Sequence, residues 1–457
     1  MSRGSGDMPQ HARDESAKAG FTERVFQIRR SELPVVGWSW LYIFAILSSY
    51  YVMRPIREQM GVSGGIENLP WLFTATLVAM ILLNVPFGYL VKRLPRIRFI
   101  PITYRFFTAN ILLFAIALYA SDREQAVWIG RFFFVWLSVF NLFVVSIFWQ
   151  TIVDVFTSEQ GKRLFGLIAA GATIGAIAGS AATALLARTV PTWALLTGAA
   201  LLLEIAVFSV KHLSRLSDQL YHKPAAQSGE RPIGGSTFAG MVHVLKSPYL
   251  LNVSLFLLLF SITSTFLYFQ QVGIAAKAFP DRGAQTAFFA SVDLAVNVLT
   301  LAIQLFLTGR IVRMFGVGLA LASLPLLTIL GFGVLIYAPT IAAIVTFQVL
   351  RRAGNFGIAR PTREVLFTVL PREDRYKAKS FIDTVVYRLG DQAGAWSYTL
   401  VGALGWGAGA LPIVALPISA LWLINAIWLG RRQDELAARA PAPLVRASDG
   451  AEVVPAS

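Results

Sequence analysis

Long apolar stretches recur along this chain and constrain its fold more than any other feature. A bilayer-spanning helix needs about 20 mostly apolar residues, and the 457-residue sequence supplies twelve such stretches. The composition agrees: 56% of the residues are hydrophobic and 14% are charged, whereas a soluble domain has about 25% charged residues. Inside a bilayer, helices satisfy the polar groups of their own backbone. We therefore predict an all-α integral membrane protein with twelve transmembrane helices.

A polar segment at 211–247 divides the predicted spans into two sets of six. Both sets carry glycines four residues apart in their fifth span, a spacing that lets two helices approach closely; this repeat indicates a duplicated six-helix unit. The predicted spans are 35–53, 69–91, 99–120, 127–153, 164–187 and 191–210, followed by 248–270, 286–309, 317–338, 340–366, 380–403 and 408–430. The predicted organisation is a cytoplasmic tail (1–33), an N-terminal bundle (34–210), a cytoplasmic linker (211–247), a C-terminal bundle (248–430) and a disordered cytoplasmic tail (431–457).

Most of the 40 lysines and arginines fall in segments that lie on one side of the membrane in this arrangement. Cytoplasmic loops collect these residues, so we predict a multi-pass membrane protein with both termini cytoplasmic. The same bias accounts for the net charge of +15 without nucleic acid as a partner.

Several kinds of chemistry are excluded by the sequence itself. It has no cysteine, and its four histidines do not occur at metal-ligand spacing. Nucleotide-hydrolysis, serine-hydrolase and zinc-protease motifs are also missing. We therefore predict that the protein is not an enzyme and that it has no cofactor or metal. Any transport is driven by gradients or by exchange.

Charged residues inside the spans are the candidate substrate-binding residues, because a charge in lipid is costly unless it faces a cavity or a partner. If the first helix continues through Pro55, Tyr50, Arg54 and Glu58 share one face. Arginines outnumber acids among these intramembrane residues, and guanidinium groups bind phosphate or carboxylate well. Besides the bilayer, the expected partner is therefore a small anionic metabolite. The candidates are Arg54, Arg57, Glu58, Asp293, Arg351, Arg352, Arg388 and Asp391. Ion pairs that only hold the bundle together, such as Arg352 or Arg388 with Asp391, are the alternative.

A second set of charges lies at the predicted cytoplasmic ends of the spans. Lys92 and Arg93 follow span 2 in the same way as Arg310 and Arg313 follow span 8. We expect these gating residues to meet acids across the bundle when the protein closes on the cytoplasmic side. The expected acids are Asp154 and Glu364.

Two stretches carry a family resemblance. The segment YYVMRPIREQMG at 50–61 and the segment at 148–180 resemble the signatures of the ATP:ADP antiporters, the nucleotide-exchange branch of the major facilitator-like transporters. The resemblance implies an inner-membrane carrier with two six-helix bundles of the major facilitator type. It also implies that Arg57 and Glu58 correspond to the basic–acidic pair on the first helix of the nucleotide exchangers.

Three functional hypotheses remain. The first is a secondary transporter that moves a phosphorylated or nucleotide-like anion by alternating access, as an exchanger or an ion-coupled carrier. The second is a major facilitator exporter of lipophilic compounds driven by the proton gradient, and the third is a membrane scaffold without transport. The excess of intramembrane arginine favours the first. We expect the protein to act as a monomer.

Overall fold

The computed structural model describes residue 29 and residues 32–93, 96–156, 158–220, 241, 244–370, 378–379, 381–406 and 408–439. The described part contains no β-strand and is built of helices that cross the molecule in alternating directions. The predicted fold class is thereby confirmed. Most of the predicted N-terminal tail, the centre of the predicted linker and the end of the C-terminal tail lie outside the described residues.

The N-terminal half contains six long helices. They are α1 (Leu33–Ser63), α2 (Leu69–Arg93), α3 (Arg96–Ala120), α4 (Arg123–Val155), α5 (Ser158–Leu186) and α6 (Thr192–Leu220). Residues Ile66–Asn68 form one 3₁₀ turn between α1 and α2.

The C-terminal half repeats this plan. Its first three helices are α7 (Pro248–Ala278), α8 (Arg282–Phe306) and α9 (Thr308–Tyr337). We call 341–366 helix α10 and 382–403 helix α11. The last helix is α12 (Leu411–Arg439).

Two helices of the C-terminal half are interrupted by π-helical turns. Helix α10 consists of Ile341–Gly354, a π-helical segment at Asn355–Ala359 and Arg360–Leu366. Helix α11 begins with a π-helical segment at Ile382–Val386 before Tyr387–Ala403. The other ten helices are long and apolar enough to cross a membrane by themselves. Because π-helical turns occur often at functional sites, these interruptions direct attention to α10 and α11.

Helix α1 continues through Pro55 to Ser63, ten residues beyond its predicted end at 53. A proline inside a helix removes one backbone donor, and membrane helices tolerate it when neighbouring groups satisfy the freed backbone. The Thr183 hydroxyl of α5 lies 3.5 Å from the Val52 carbonyl oxygen, so α5 contacts α1 close to the proline. The continuation places Arg54 and Glu58 on successive turns of one helix face.

The glycines of the fifth helix in each half lie directly against the first helix of that half. A Cβ added at Gly175 would lie 2.4 Å from the Phe44 carbonyl oxygen of α1, and one added at Gly179 would lie 2.4 Å from the Ser48 carbonyl oxygen. In the C-terminal half, Gly390 of α11 faces the Leu258 carbonyl of α7 in the same way. The pattern of small residues therefore marks equivalent helix contacts in both halves.

The Gly175→Ala variant is expected to destabilise the N-terminal half by about 1–3 kcal/mol, the usual cost of overpacking. The added methyl group meets backbone atoms of Phe44, which cannot move without shifting α1. The matched control is Gly166→Ala on the same helix, where the new Cβ meets nothing within 4 Å. This control should be neutral or gain up to about 1 kcal/mol from helix propensity. Thermal unfolding in detergent measures both, and equal melting temperatures would contradict the close-packing interpretation.

The two halves meet at the end of the bundle that carries Gly64, hereafter the Gly64 end; the end that carries Leu33 and Arg439 is the terminal end. Phe73 of α2 lies 5.8 Å from Tyr268 of α7 between ring centroids. A buried core of residues from both halves surrounds them, including Leu69, Phe134, Phe266 and Phe269. The structure therefore describes the conformation in which the Gly64 end is closed.

Three further helices extend well past the ends that apolar length predicts. Helix α6 runs to Leu220 rather than 210, and α7 runs to Ala278 rather than 270. Residues 431–439, predicted to be disordered, form the last turns of α12. The prediction of disorder is wrong there because a helix can continue beyond the bilayer with a polar surface, as the Arg432–Glu435 pair shows.

A buried carboxylate ties the beginning of α1 to the beginning of α5. The Glu32 side chain is 4% exposed, and Arg163 donates to it at 2.9 Å. The backbone amide of Arg29 and the side chain of Gln160 also donate to it. Burial by itself raises the pKa of the Glu32 carboxyl, but the hydrogen bonds and the charge of Arg163 outweigh burial and lower the pKa below its ordinary value.

Because the folded-state pKa of Glu32 is lowered, its contribution to stability is present above the ordinary glutamate pKa of about 4.3 and is lost as the pH falls through the folded-state pKa. We expect Glu32→Gln to lower the melting temperature at pH 7 and to approach the wild type as the pH falls through the folded-state pKa. Glu67→Gln, which changes an exposed glutamate, serves as the control. A difference between wild type and Glu32→Gln that stays constant as the pH is lowered would show that the loss is steric.

Candidate functional site

The centre of the molecule holds one carboxylate between two arginines from opposite halves. Asp293 of α8 is 3.1 Å from Arg54 of α1 and 2.7 Å from Arg352 of α10, and both distances join a guanidinium nitrogen to the same Oδ1 atom. The Asp293 side chain is 4% exposed, compared with 21% for Arg54 and 15% for Arg352. We call these three residues the central cluster. Its two cations are partly exposed, and its acid is buried.

The central cluster is incompletely hydrogen-bonded. Within the described part of the structure, the second carboxylate oxygen of Asp293 and the Nη2 atom of Arg352 are buried without a partner. Leaving a buried polar atom unpaired costs about 1–3 kcal/mol, and more for a charged group. Asp293 and Arg352 are bonded to each other, yet each keeps one polar atom without a partner. This arrangement indicates a site where another polar molecule can supply the missing hydrogen bonds.

A second charged pair lies one helical turn closer to the Gly64 end. Arg57 donates to Glu58 at 3.1 Å and to the Phe134 carbonyl oxygen at 3.2 Å. Its guanidinium carbon is 3.8 Å from the Phe134 ring centroid, a distance at which a cation is attracted to an aromatic face. The Tyr268 hydroxyl of α7 is also buried and interacts with Glu58.

Arg351 lies next to Arg352 in the chain but belongs to a different environment. It is 2% exposed and donates to Thr328, Ser264, Thr263 and the Phe260 carbonyl oxygen. Successive residues of an α-helix point about 100° apart, so Arg351 faces α7 and α9 while Arg352 faces α8. The expectation that both arginines contact an anion is corrected for Arg351, whose donors are occupied by protein groups.

Arg388 and Asp391 of α11 form the predicted pair three residues apart, at 3.3 Å. Asp391 also accepts a hydrogen bond from Ser261 of α7. The alternative pairing of Arg352 with Asp391 is wrong, because each has a different partner. The Arg388 side chain is 35% exposed and is therefore the more accessible member of its pair.

Polar and aromatic side chains join α2 to α11 at the Gly64 end. Thr74 donates to Gln392 at 2.9 Å and accepts from the Trp396 ring nitrogen at 3.2 Å. Trp71 meets the Trp396 ring edge to face, with centroids 4.8 Å apart. The sequence does not predict Thr74 as a contact residue, since an isolated threonine in an apolar span carries no pattern.

The predicted gating residues lie toward the terminal end. Glu364 contacts Lys379, a residue of its own half, and Arg310 is exposed. Asp154 takes part in an interaction of its own, and the side chains of Lys92, Arg93 and Arg313 lie outside the described part. The predicted pairs belong to the conformation closed at the terminal end, so they remain a prediction.

The described residues do not bring three histidine, aspartate or glutamate side chains together in a way that could hold a metal ion. The central cluster is instead suited to an anion, because guanidinium groups from two helices converge on one acceptor atom.

Comparisons with known proteins place this geometry in context. The family model described as Major Facilitator Superfamily matches residues 41–390. The chain is 21% identical to ADP,ATP carrier protein 1 of Chlamydia pneumoniae, with 89% of this chain and 93% of the relative covered. It is 22% identical to ADP,ATP carrier protein 1 of Chlamydia muridarum, with 94% and 96% covered. The resemblance first visible in two stretches therefore extends over nearly the whole chain.

Solved structures share the fold. A bacterial homologue of the iron transporter ferroportin, in an inward-facing state, superposes with a TM-score of 0.60 at 14% identity, covering 88% of this chain and 98% of that one. The nucleoside transporter NupG superposes with a TM-score of 0.53 at 16% identity, covering 89% and 100%. These similarities agree with a fold of two six-helix halves.

Proposed function

This chain belongs to the Major Facilitator Superfamily, and from that premise we propose that it is a secondary transporter that exchanges nucleotide-like anions across the bacterial inner membrane by alternating access. The observation that carries the proposal is the central cluster, in which Arg54 of one half and Arg352 of the other hold a single anionic group. A carrier that exposes one site to each side in turn needs ligands from both halves.

The similarity to ADP,ATP carrier proteins supports a phosphorylated substrate, and arginine is the side chain best suited to bind phosphate oxygens in pairs. We assign Arg54 and Arg352 to the phosphate group. Arg388, which is partly exposed beside Asp391, and the Arg57–Glu58 pair complete the binding region. An exporter of lipophilic compounds offers no reason for two converging arginines, and a scaffold has no reason to maintain them.

The decisive experiment is exchange in liposomes that contain the purified protein. We expect labelled ADP to enter liposomes preloaded with ADP or ATP faster than empty ones, and we expect excess ATP to compete. Adenosine, which lacks the phosphate groups, should neither compete nor enter. Equal uptake of ADP and adenosine would contradict phosphate binding by the arginines. Competition by a lipophilic cation alone would favour the hypothesis of an exporter of lipophilic compounds.

We further propose that the terminal end faces the cytoplasm. The chain has no cysteine, so a single introduced thiol reports its own position. Glu67→Cys at the exposed turn between α1 and α2 should react in intact cells with a reagent that does not cross the inner membrane. Arg310→Cys at the terminal end is the matched control and should react only after the cells are opened. The reverse pattern would invert the orientation.

A further inference from the structure

We infer that the Asp293 carboxylate is the internal counter-anion of the empty carrier, and that the phosphate group of the substrate displaces it from Arg54 and Arg352. The inference rests on the proposed function, since it needs an anionic substrate at the central cluster. The inference adds a binding step to that function: the substrate phosphate replaces the Asp293 carboxylate as the anion that contacts the two arginines.

The exposure of the three side chains supports displacement of Asp293 from the exposed side of the two arginines. The two guanidinium groups are 21% and 15% exposed, while the Asp293 side chain is 4% exposed. An entering phosphate therefore meets the arginines without first meeting the acid. The Nη2 atom of Arg352 is buried without a partner among the described residues, so it can donate to a phosphate oxygen once the side chain turns away from Asp293.

Charge explains why the empty site needs an internal acid. Arg54 and Arg352 share one acceptor atom, so their like charges lie close together in a region of low dielectric, where repulsion is strong. One carboxylate reduces two positive charges to one. It accepts both contacts through Oδ1, while its Oδ2 atom has no partner within the described structure. A phosphate with several acceptor oxygens can engage both guanidinium groups more fully.

The displaced bond is also a link between the two halves, because Arg54 belongs to α1 and Asp293 to α8. In the empty carrier this ion pair joins the N-terminal half directly to the C-terminal half. After displacement, Arg54 and Arg352 are joined through the substrate, and α8 is released from α1 at this point. Asn297, one turn further along α8, lies 3.5 Å from Ser180 of α5, so α8 keeps a second polar contact with the N-terminal half.

The test compares binding and turnover in the Asp293→Asn variant. Without the competing carboxylate, we expect the dissociation constant for ADP, measured by calorimetry in detergent, to fall about tenfold, which corresponds to about 1.4 kcal/mol. The variant should also bind inorganic phosphate more tightly than the wild type does, because the expected gain in affinity comes from the phosphate group alone. The maximal rate of ADP exchange should fall, because release now lacks the group that replaces the substrate.

The matched control is Asp383→Asn. Asp383 is also an acid of the C-terminal half that pairs with an arginine of α10, here Arg363 at 2.9 Å, but both members belong to the same half. It should leave the affinity for ADP unchanged. Asp293→Glu, which keeps the charge, should leave the affinity unchanged or lower it, and this variant keeps the inference testable if Asp293→Asn does not fold.

An unchanged or weakened ADP affinity in Asp293→Asn would overturn the counter-anion role, as would a stronger affinity in Asp293→Glu. If Arg352→Ala abolishes binding at the same time, the proposed function stands and Asp293 is only a structural partner. If the wild-type protein binds neither ADP nor phosphate, the proposed function fails and the inference fails with it.

Discussion

We expect Arg352→Ala to abolish exchange and Arg352→Lys to retain about a tenth of it or less, with both proteins folded. Arg352 donates to Asp293 at 2.7 Å through one nitrogen and leaves a second nitrogen unpartnered in the described structure. Losing two charge-assisted hydrogen bonds to a phosphate, each worth about 1.5–3 kcal/mol, lowers binding by more than about a hundredfold. Lysine keeps the charge but not the planar fork.

Folding should survive these substitutions because Asp293 keeps Arg54 as a partner at 3.1 Å. The measurements are initial rates of ADP exchange in liposomes and melting temperatures of the same preparations. The structure also defines the informative double variant, Arg352→Gln with Asp293→Asn, which removes both charges of the true pair. Restored exchange in that variant would show that Arg352 serves only to balance a buried acid.

The second large effect is on stability rather than transport. We expect Arg351→Ala to lower the stability of the C-terminal half by about 2–5 kcal/mol, the usual cost of emptying a buried site of this size. The side chain is 2% exposed and fills space between Phe260 and Trp422, with its guanidinium carbon 5.0 Å and 5.8 Å from their ring centroids. Thermal unfolding and the yield of monodisperse protein measure the loss.

Arg351→Met is the control that separates packing from charge. Methionine fills much of the same volume, and replacing a buried charge with a packed apolar group is often neutral or stabilising. The hydroxyl groups of Thr263 and Thr328 keep hydrogen bonds to carbonyls of their own helices. We expect this variant to fold and to exchange ADP at a rate within a few-fold of the wild type. If the Arg351→Met variant folds but does not exchange ADP, Arg351 has a role in substrate binding after all.

The sequence predicts the architecture well because the bilayer imposes a length and a polarity on every span. Ten helices meet that rule directly, and the two that do not, α10 and α11, are the ones with several charges and π-helical turns. A π-helical turn leaves no periodic signal in the sequence, so these interruptions could not be predicted. The glycine spacing of α5 and α11, by contrast, predicted close contacts that the structure contains.

The sequence predicts which charged residues belong to the candidate site, but not which of them form ion pairs. Because lipid makes isolated charges costly, the sequence indicates which charged residues face the interior. Which acid meets which arginine depends on how distant helices are placed: Arg54 and Asp293 lie on α1 and α8, in different halves. Arg388 and Asp391 were predictable because they lie on one turn of one helix. Arg351 and Arg352 differ only by their direction around α10, which charge alone does not reveal.

The unequal number of charges in the central cluster makes the carrier sensitive to the membrane potential. Two guanidinium groups and one carboxylate give the empty cluster a net charge of one positive unit, and a doubly charged phosphate reverses the sign. Moving one elementary charge through the full field changes the free energy by about 2.3 kcal/mol per 100 mV. The potential therefore acts in opposite directions on the empty and the phosphate-loaded central cluster.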